Sequence, residues 1–173
     1  MLFQSKLDSF SVDSKLVEMK LSTRGEYALR ALLVLAQEYR PDESVVRAQQ
    51  ISAKQNVPKR FLEQILNDLK SANIVESRRG IAGGYRLTRP PEKITLAEII
   101  RHLEGALAPV SCVSERFYER CTCPDEARCA IRSVMKEARD AVVKIMETLT
   151  LADLRQRAHK LQLEAVGPMD FMI

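Results

Sequence analysis

Apolar side chains recur at helical spacing through LSTRGEYALRALLVLAQEY, where Tyr27, Ala28, Ala31, Leu32, Leu35 and Ala36 fall on one stripe. Thr23 followed by Glu26 forms a capping box at its start, and Pro41 with Asp42 ends it. Two shorter helices follow, VVRAQQISAKQ and PKRFLEQILNDLKSAN, separated by a tight turn at Asn56 and Val57. Pro58 suits the first helical position, since its φ is already helical and its missing N–H would have no partner there. In the second of these helices Phe61, Leu62, Ile65, Leu66 and Leu69 form the inward face, leaving Lys59, Arg60, Glu63, Gln64, Asn67 and Lys70 outside.

After Asn73 the period shortens. IVESRR and GYRLTR read as two strands joined by the loop Gly80–Gly84, a hairpin directly behind a helix-turn-helix and therefore a wing. Pro90 and Pro91 end it, TLAE at Thr95–Glu98 caps a helix reaching about Leu103, and Gly105 and Pro109 mark a loop. A long helix is expected from about Asp125 to Leu149. Ile131, Met135, Ala138, Val142, Ile145 and Leu149 alternate four and three apart along it, a narrow heptad seam suited to pairing with another helix. Thr150–Asp153 caps a further helix over LRQRAHKLQLE.

The fold class is thus mostly α with a small β wing: a winged helix-turn-helix followed by a long dimerisation helix. Five segments are expected: a weakly ordered extension over 1–18, the DNA-binding domain over 19–105, a cysteine-bearing sensor loop over 106–129, the dimerisation helix with a short following helix over 130–160, and a tail over 161–173.

Charge sharpens this picture through its placement more than its total. The 173 residues carry 27 basic and 23 acidic side chains, net +4, which permits a polyanionic partner without demanding one. Between Arg47 and Arg89, however, Lys54, Lys59, Arg60, Lys70, Arg78, Arg79, Arg86 and Arg89 fall on the recognition helix and wing. Lys59, Arg60, Glu63 and Gln64 occupy the end of the helix that enters a major groove, where Gln64 can pair with adenine and Arg60 with guanine. The wing arginines Arg78 and Arg79 suit phosphates or a narrow minor groove, and Tyr85 of the second strand is grouped with them as a contact to double-stranded promoter DNA.

No stretch approaches the roughly 20 apolar residues of a membrane span, and the first residues lack the apolar core of a secretion signal, so a cytoplasmic protein is expected. A nucleotide-binding glycine loop, a strand-linked thiol motif and an acid–base constellation are all missing, which argues against an enzyme. A winged fold that docks a protein partner in place of DNA stays open.

All four cysteines lie in CVSERFYERCTCPDEARC, residues 112–129. In a reducing compartment such clustering points to metal binding or redox chemistry more than to structural disulfides. Thiolates are the usual iron–sulfur ligands, and Cys129 at a helix start meets positive dipole density that favours its ionised form. The CTC pair, one residue apart, is less typical of zinc than a wider pair. Zinc, redox-active thiols and idle thiols remain alternatives.

The chain resembles the IscR/NsrR/RirA/CymR-type bacterial transcription regulators, small dimeric winged helix-turn-helix proteins. MKLSTRGEYALRALLVLA, VPKRFLEQILNDLKSANIVESRRGIAGGYRLTRPPEKITLAEIIRHLEG and the cysteine loop carry the resemblance, over about residues 19 to 154. It implies a homodimer built on the long helix, with an iron–sulfur cluster of two or four irons on three loop cysteines. The family spacing selects Cys123 and Cys129, with Cys112 as the first ligand and Cys121 as its alternative. Some relatives take a histidine three residues after the last cysteine, but Arg132 stands there and cannot ligate iron. In others the fourth ligand is a carboxylate on the first helix of the opposite subunit, which corresponds to Glu26. The implied function is a dimeric DNA-binding regulator, a repressor or activator, controlled by that cluster. A cluster-free regulator under thiol or protein-partner control is the alternative.

Overall fold

The computed structural model describes residues 21–41, 45–80 and 83–165. Helix α1, Thr23–Gln37, starts on a different cap from the one expected. Ser22 sits in extended conformation and its Oγ accepts the Gly25 N–H at 3.1 Å, so the Thr23–Glu26 box does not form. Glu26 turns outward and pairs instead with Arg30 one turn along. A Cβ at Gly25 would collide with the Glu104 carboxylate, which also accepts from the Ser22 hydroxyl, so glycine lets the end of helix α4 (Leu96–Glu104) seat on the start of α1.

Helices α2, Ala48–Gln55, and α3, Lys59–Ser71, meet through Asn56, held at φ 50°. Asparagine tolerates that left-handed geometry better than most residues. The Ser52 hydroxyl donates to the Val57 carbonyl at 2.7 Å and closes the turn. Pro58 is the residue before the helix, with Lys59 its first member, one position later than expected. Leu62, Ile65, Leu66 and Leu69 are buried against α1, but Phe61, expected among them, is 57% exposed. Main-chain pairing claims the residues before α2. Val46 donates to the Tyr85 carbonyl at 2.8 Å and accepts the Tyr85 N–H at 2.9 Å, so the expected helix over VVRAQQ begins only at Ala48.

Strands β1, Val75–Arg78, and β2, Gly84–Leu87, pair antiparallel with Val75 opposite Leu87 and Arg78 opposite Gly84. A Cβ on Gly84 would lie 2.7 Å from the Val46 carbonyl oxygen, so only glycine admits this third edge. Thr95 caps α4 as expected, accepting the Glu98 N–H at 3.2 Å, while the Glu98 carboxylate turns to Arg89.

Helix α5, Ala130–Thr148, begins five residues later than expected. Cys129 is its cap: the sulfur accepts the Arg132 N–H at 3.4 Å, a role more often taken by serine or aspartate. The helix stands away from the core, with Ile131, Val134 and Ile145 each more than half exposed. Helix α6, Leu151–Ala165, returns to the core. Thr150 and Asp153 form a reciprocal capping box at 3.2 and 2.8 Å. Leu151 is fully buried in the cluster that holds Leu32, Ile51 and Leu66. Its N–H donates to Ile94, the Leu96 N–H donates to Leu149, and Arg155 donates to the Ala36 carbonyl at the end of α1. The expected tail from 161 is helical as far as Ala165, and α6 belongs to the same core as the winged domain. The expectations for residues 1–18 and for the end of the tail lie outside the described residues.

Candidate nucleic-acid interface and thiol centre

Burial of one face of α3 against α1 leaves Lys59, Arg60, Glu63, Gln64, Asn67 and Lys70 on the other, open to solvent. Lys59 lies 3.7 Å from Glu63, an ordinary surface pair. Arg60, Lys70, Arg78 and Arg79 are exposed and make no hydrogen bond or ion pair among the described residues. Unspent guanidinium groups at the start of α3 and the tip of β1 are what a phosphate or base edge requires.

The other basic residues of this segment differ. Lys54 bonds Glu38 at 2.6 Å and thereby holds that carboxyl below the ordinary value. Arg86 pairs across the hairpin with Glu76, and Arg89 binds Glu98 and the Asn73 carbonyl. Arg86 and Arg89 thus brace the wing, a role composition cannot separate from DNA contact. Tyr85 is half-buried, its ring against the core and its main chain engaged with Val46. His102 is exposed and bonds the Asp68 carbonyl at 2.9 Å.

The thiol loop is rooted in a small apolar cluster of Ala108, Cys112 and Val113, against which Val110, Cys121 and Met135 pack. Burial, then the neighbouring Cys121 thiol, pushes Cys112 up. The neighbouring Cys123 side chain and main chain hold Cys121 below the ordinary thiol value. Bonds to Cys121 and then Cys129 push Cys123 up to about 12. The sulfurs of Cys123 and Cys129 are 3.7 Å apart. The four thiols thus share one neighbourhood, in which Cys123 and Cys129 are in direct contact. Cys121, on sequence grounds only an alternative ligand, sits inside it.

Around the thiols lies a polar shell that residue spacing alone does not bring out. The Tyr118 hydroxyl donates to both oxygens of Glu126 at 2.8 and 2.9 Å, which pushes the phenol up. Arg132 reaches the Glu126 carboxylate at 3.3 Å and the Cys112 carbonyl at 3.2 Å through Nε. Buried Arg139, seven residues along α5, binds Glu115 of the loop. The spacing of two residues between Cys123, Glu126 and Cys129 is the signal in the sequence that could have singled out Glu126.

Four neighbouring thiols, two of them 3.7 Å apart, are the donor type an iron–sulfur cluster takes, although no three His, Cys, Asp or Glu side chains among the described residues already converge on one metal position. Glu26 lies on the first turn of α1, half exposed and paired with Arg30, and forms no hydrogen bond with the thiol loop of its own chain.

A helix-turn-helix with a braced wing and free arginines defines a winged helix-turn-helix DNA-binding protein. Residues 21–157 match the family described as Rrf2, iron-dependent transcriptional regulator, and the chain belongs to that family. An HTH-type regulator described as rrf2-like from Rhodobacter capsulatus is 40% identical over 136 residues, covering 78% of this chain and 91% of that protein. The regulator CymR of Bacillus subtilis is 34% identical over 136 residues, 79% of this chain and 89% of its own. Among solved structures, CymR, the global cysteine regulator of B. subtilis, matches with a TM-score of 0.67 and 33% identity over 80% of this chain and 97% of that one. IscR of T. potens matches with a TM-score of 0.65 and 29% identity over 83% and 90%. The protein is a DNA-binding transcriptional regulator and not an enzyme. No described helix is long and apolar enough to cross a membrane.

Proposed function

We propose that the protein is a homodimeric regulator whose promoter binding is set by an iron–sulfur cluster on the cysteine loop. The observation that carries this is the close approach of the Cys123 and Cys129 sulfurs, 3.7 Å apart, with Cys129 capping a helix that leaves Ile131, Val134 and Ile145 exposed. Cys123 and Cys129 are the ligands shared with the family pattern, Cys112 or the adjacent Cys121 supplies a third, and Glu26 of the opposite subunit is a candidate for the fourth. When bound, the cluster supplies charge and a redox state that the loop can report.

The chain's own residues do the rest. Cys129 ties the loop to the first turn of α5, while Arg132 and Arg139 fasten Cys112 and Glu115 to the same helix. A loop that closes or opens therefore moves α5. In a dimer paired through the seam, that movement resets the separation of two recognition helices, which must match half-sites about one DNA turn apart. The thiol centre shifts binding only as far as its affinity differs between the two arrangements. Arg60, Gln64, Lys59 and Glu63 read the major groove, and Arg78 and Arg79 hold the backbone.

A second reading, thiol control without a cluster, has its own support: the Cys123 and Cys129 sulfurs already lie 3.7 Å apart, and CymR is among the relatives. Control through a protein partner belongs with this reading. Anaerobic purification with iron and sulfide assays and a visible spectrum separates the two. The cluster reading expects a coloured protein with stoichiometric sulfide. A colourless protein that reconstitution leaves unchanged overturns it in favour of thiol control.

A further inference from the structure

We infer that Phe61 reads thymine in the operator, its exposed ring packing on the C5-methyl group in the major groove. The inference rests on the reading of α3 as the recognition helix and is independent of what the thiol loop binds.

Placement is the first support. At about 100° per residue, Phe61 lies roughly a quarter turn from the row of Leu62, Ile65, Leu66 and Leu69 and about 60° from Gln64. That row is buried, whereas Phe61 stays 57% exposed. It is the third residue of the helix, in a first turn that also carries the solvent-facing Lys59 and Arg60. Single apolar residues are common on protein surfaces, so it is the company of this one that assigns it a role.

The surroundings are the second. Phe61 and Gln64 line one open groove between α3 and the start of α1, with Arg24 and Tyr27 on its far wall. The Arg30 guanidinium lies 5.8 Å from the centre of the Tyr27 ring and Arg24 is bonded to Asp68, so the far wall is already engaged and does not close over Phe61. The groove runs through Gln64 into the polar face of α3, where Arg60 has no partner among the described residues.

Chemistry is the third. A phenylalanine side chain neither donates nor accepts a hydrogen bond, so it passes over every polar group on the base edges. The thymine C5-methyl is the apolar feature the major groove offers it. Gln64, one turn along, matches the donor and acceptor of adenine. A polar and an apolar reader on adjacent turns therefore address the two bases of an A·T pair. A second copy of the chain would also cover the ring, but Lys59 and Arg60 beside it carry the charge that phosphates attract and hold in register, which favours duplex DNA.

The test uses the full-length protein and its Phe61→Ala and Phe61→Leu variants, prepared alike without oxygen, with a tight-binding duplex selected from a random library by the parent. Each thymine of that duplex is replaced in turn by deoxyuridine, symmetrically in both half-sites, which removes the methyl and keeps every hydrogen-bonding group. For the parent, one such replacement is expected to weaken binding about fourfold per half-site, the fold-change for returning one methyl group to water. Phe61→Ala should bind the unmodified duplex more weakly and be indifferent to that same replacement, while Phe61→Leu keeps most of the preference. Far-UV circular dichroism and sedimentation accompany each protein. A parent indifferent to deoxyuridine at every position overturns the inference, as does a Phe61→Ala protein that retains the full fourfold penalty. A Phe61→Ala protein of parental helix content that sediments differently assigns the ring to a contact between copies and overturns it too. If Phe61→Ala loses helix content, the parent scan and Phe61→Leu decide. A parent that enriches no sequence from the library overturns base reading by α3 as a whole, and this inference with it.

Discussion

Individual residues of the loop differ in chemistry far more than their shared identity as cysteine suggests. The neighbouring Cys123 holds the Cys121 thiol below the ordinary value, whereas Cys123 itself is pushed up to about 12. Because the thiolate is the nucleophile, raising the pH of reduced, metal-free protein is expected to label Cys121 with iodoacetamide first and Cys123 last. Mass mapping checks this order, and preferential labelling of Cys123 contradicts it. The basic residues divide in the same way. Arg60→Ala, Arg78→Ala and Arg79→Ala should each weaken DNA binding and lower the log-log salt slope by about 0.9 for every phosphate left without its arginine. Arg86→Ala and Arg89→Ala, which remove the braces to Glu76 and Glu98, should lower the melting temperature and leave that slope unchanged. Nothing in the order of residues separates these groups, since what distinguishes Arg86 from Arg79 is an acidic neighbour across a strand pair. The cysteines are legible as a group for a plainer reason: their crowding is a property of the chain itself.

At the scale of elements, legibility follows the range of the contacts. The α1 stripe, four of the five inward positions on α3, the hairpin and the Thr95 and Thr150 caps depend on neighbours a few residues away and match expectation. The departures depend on distant partners or on an unusual cap. Val46 leaves helical geometry because Tyr85 pairs with it, α1 starts on Ser22, and α5 waits for Cys129 to cap it. Helix α6 carries no mark of where it docks, yet Leu151 is among the most buried side chains of the whole core. Leu151→Ala is therefore expected to destabilise the winged domain by about 2 to 5 kcal/mol in chemical denaturation, and Thr150→Ala by about 1 kcal/mol through loss of the cap. A Leu151 variant within about 0.5 kcal/mol of the parent would mean that α6 does not share that core.

For the whole molecule, the exposed faces of α5 and α3 have to be reconciled with each other. Ile131, Val134 and Ile145 stand in solvent on a single chain, and pairing with a second copy would cover them. Ile131→Glu with Ile145→Glu should shift sedimentation from dimer to monomer and weaken operator binding at least tenfold, since two half-sites would no longer be bound together. An unchanged sedimentation coefficient would relocate the interface. Such a dimer would place two wings, two recognition helices and two thiol loops under one geometric constraint. The most direct measurement is promoter affinity across a salt series for one anaerobic preparation, first with its cluster and then after the cluster is removed and the thiols kept reduced. Steep salt dependence in both states and affinities at least about fivefold apart, within the usual range of coupling between sites, are predicted. Superimposable curves would contradict control of DNA binding by the thiol centre.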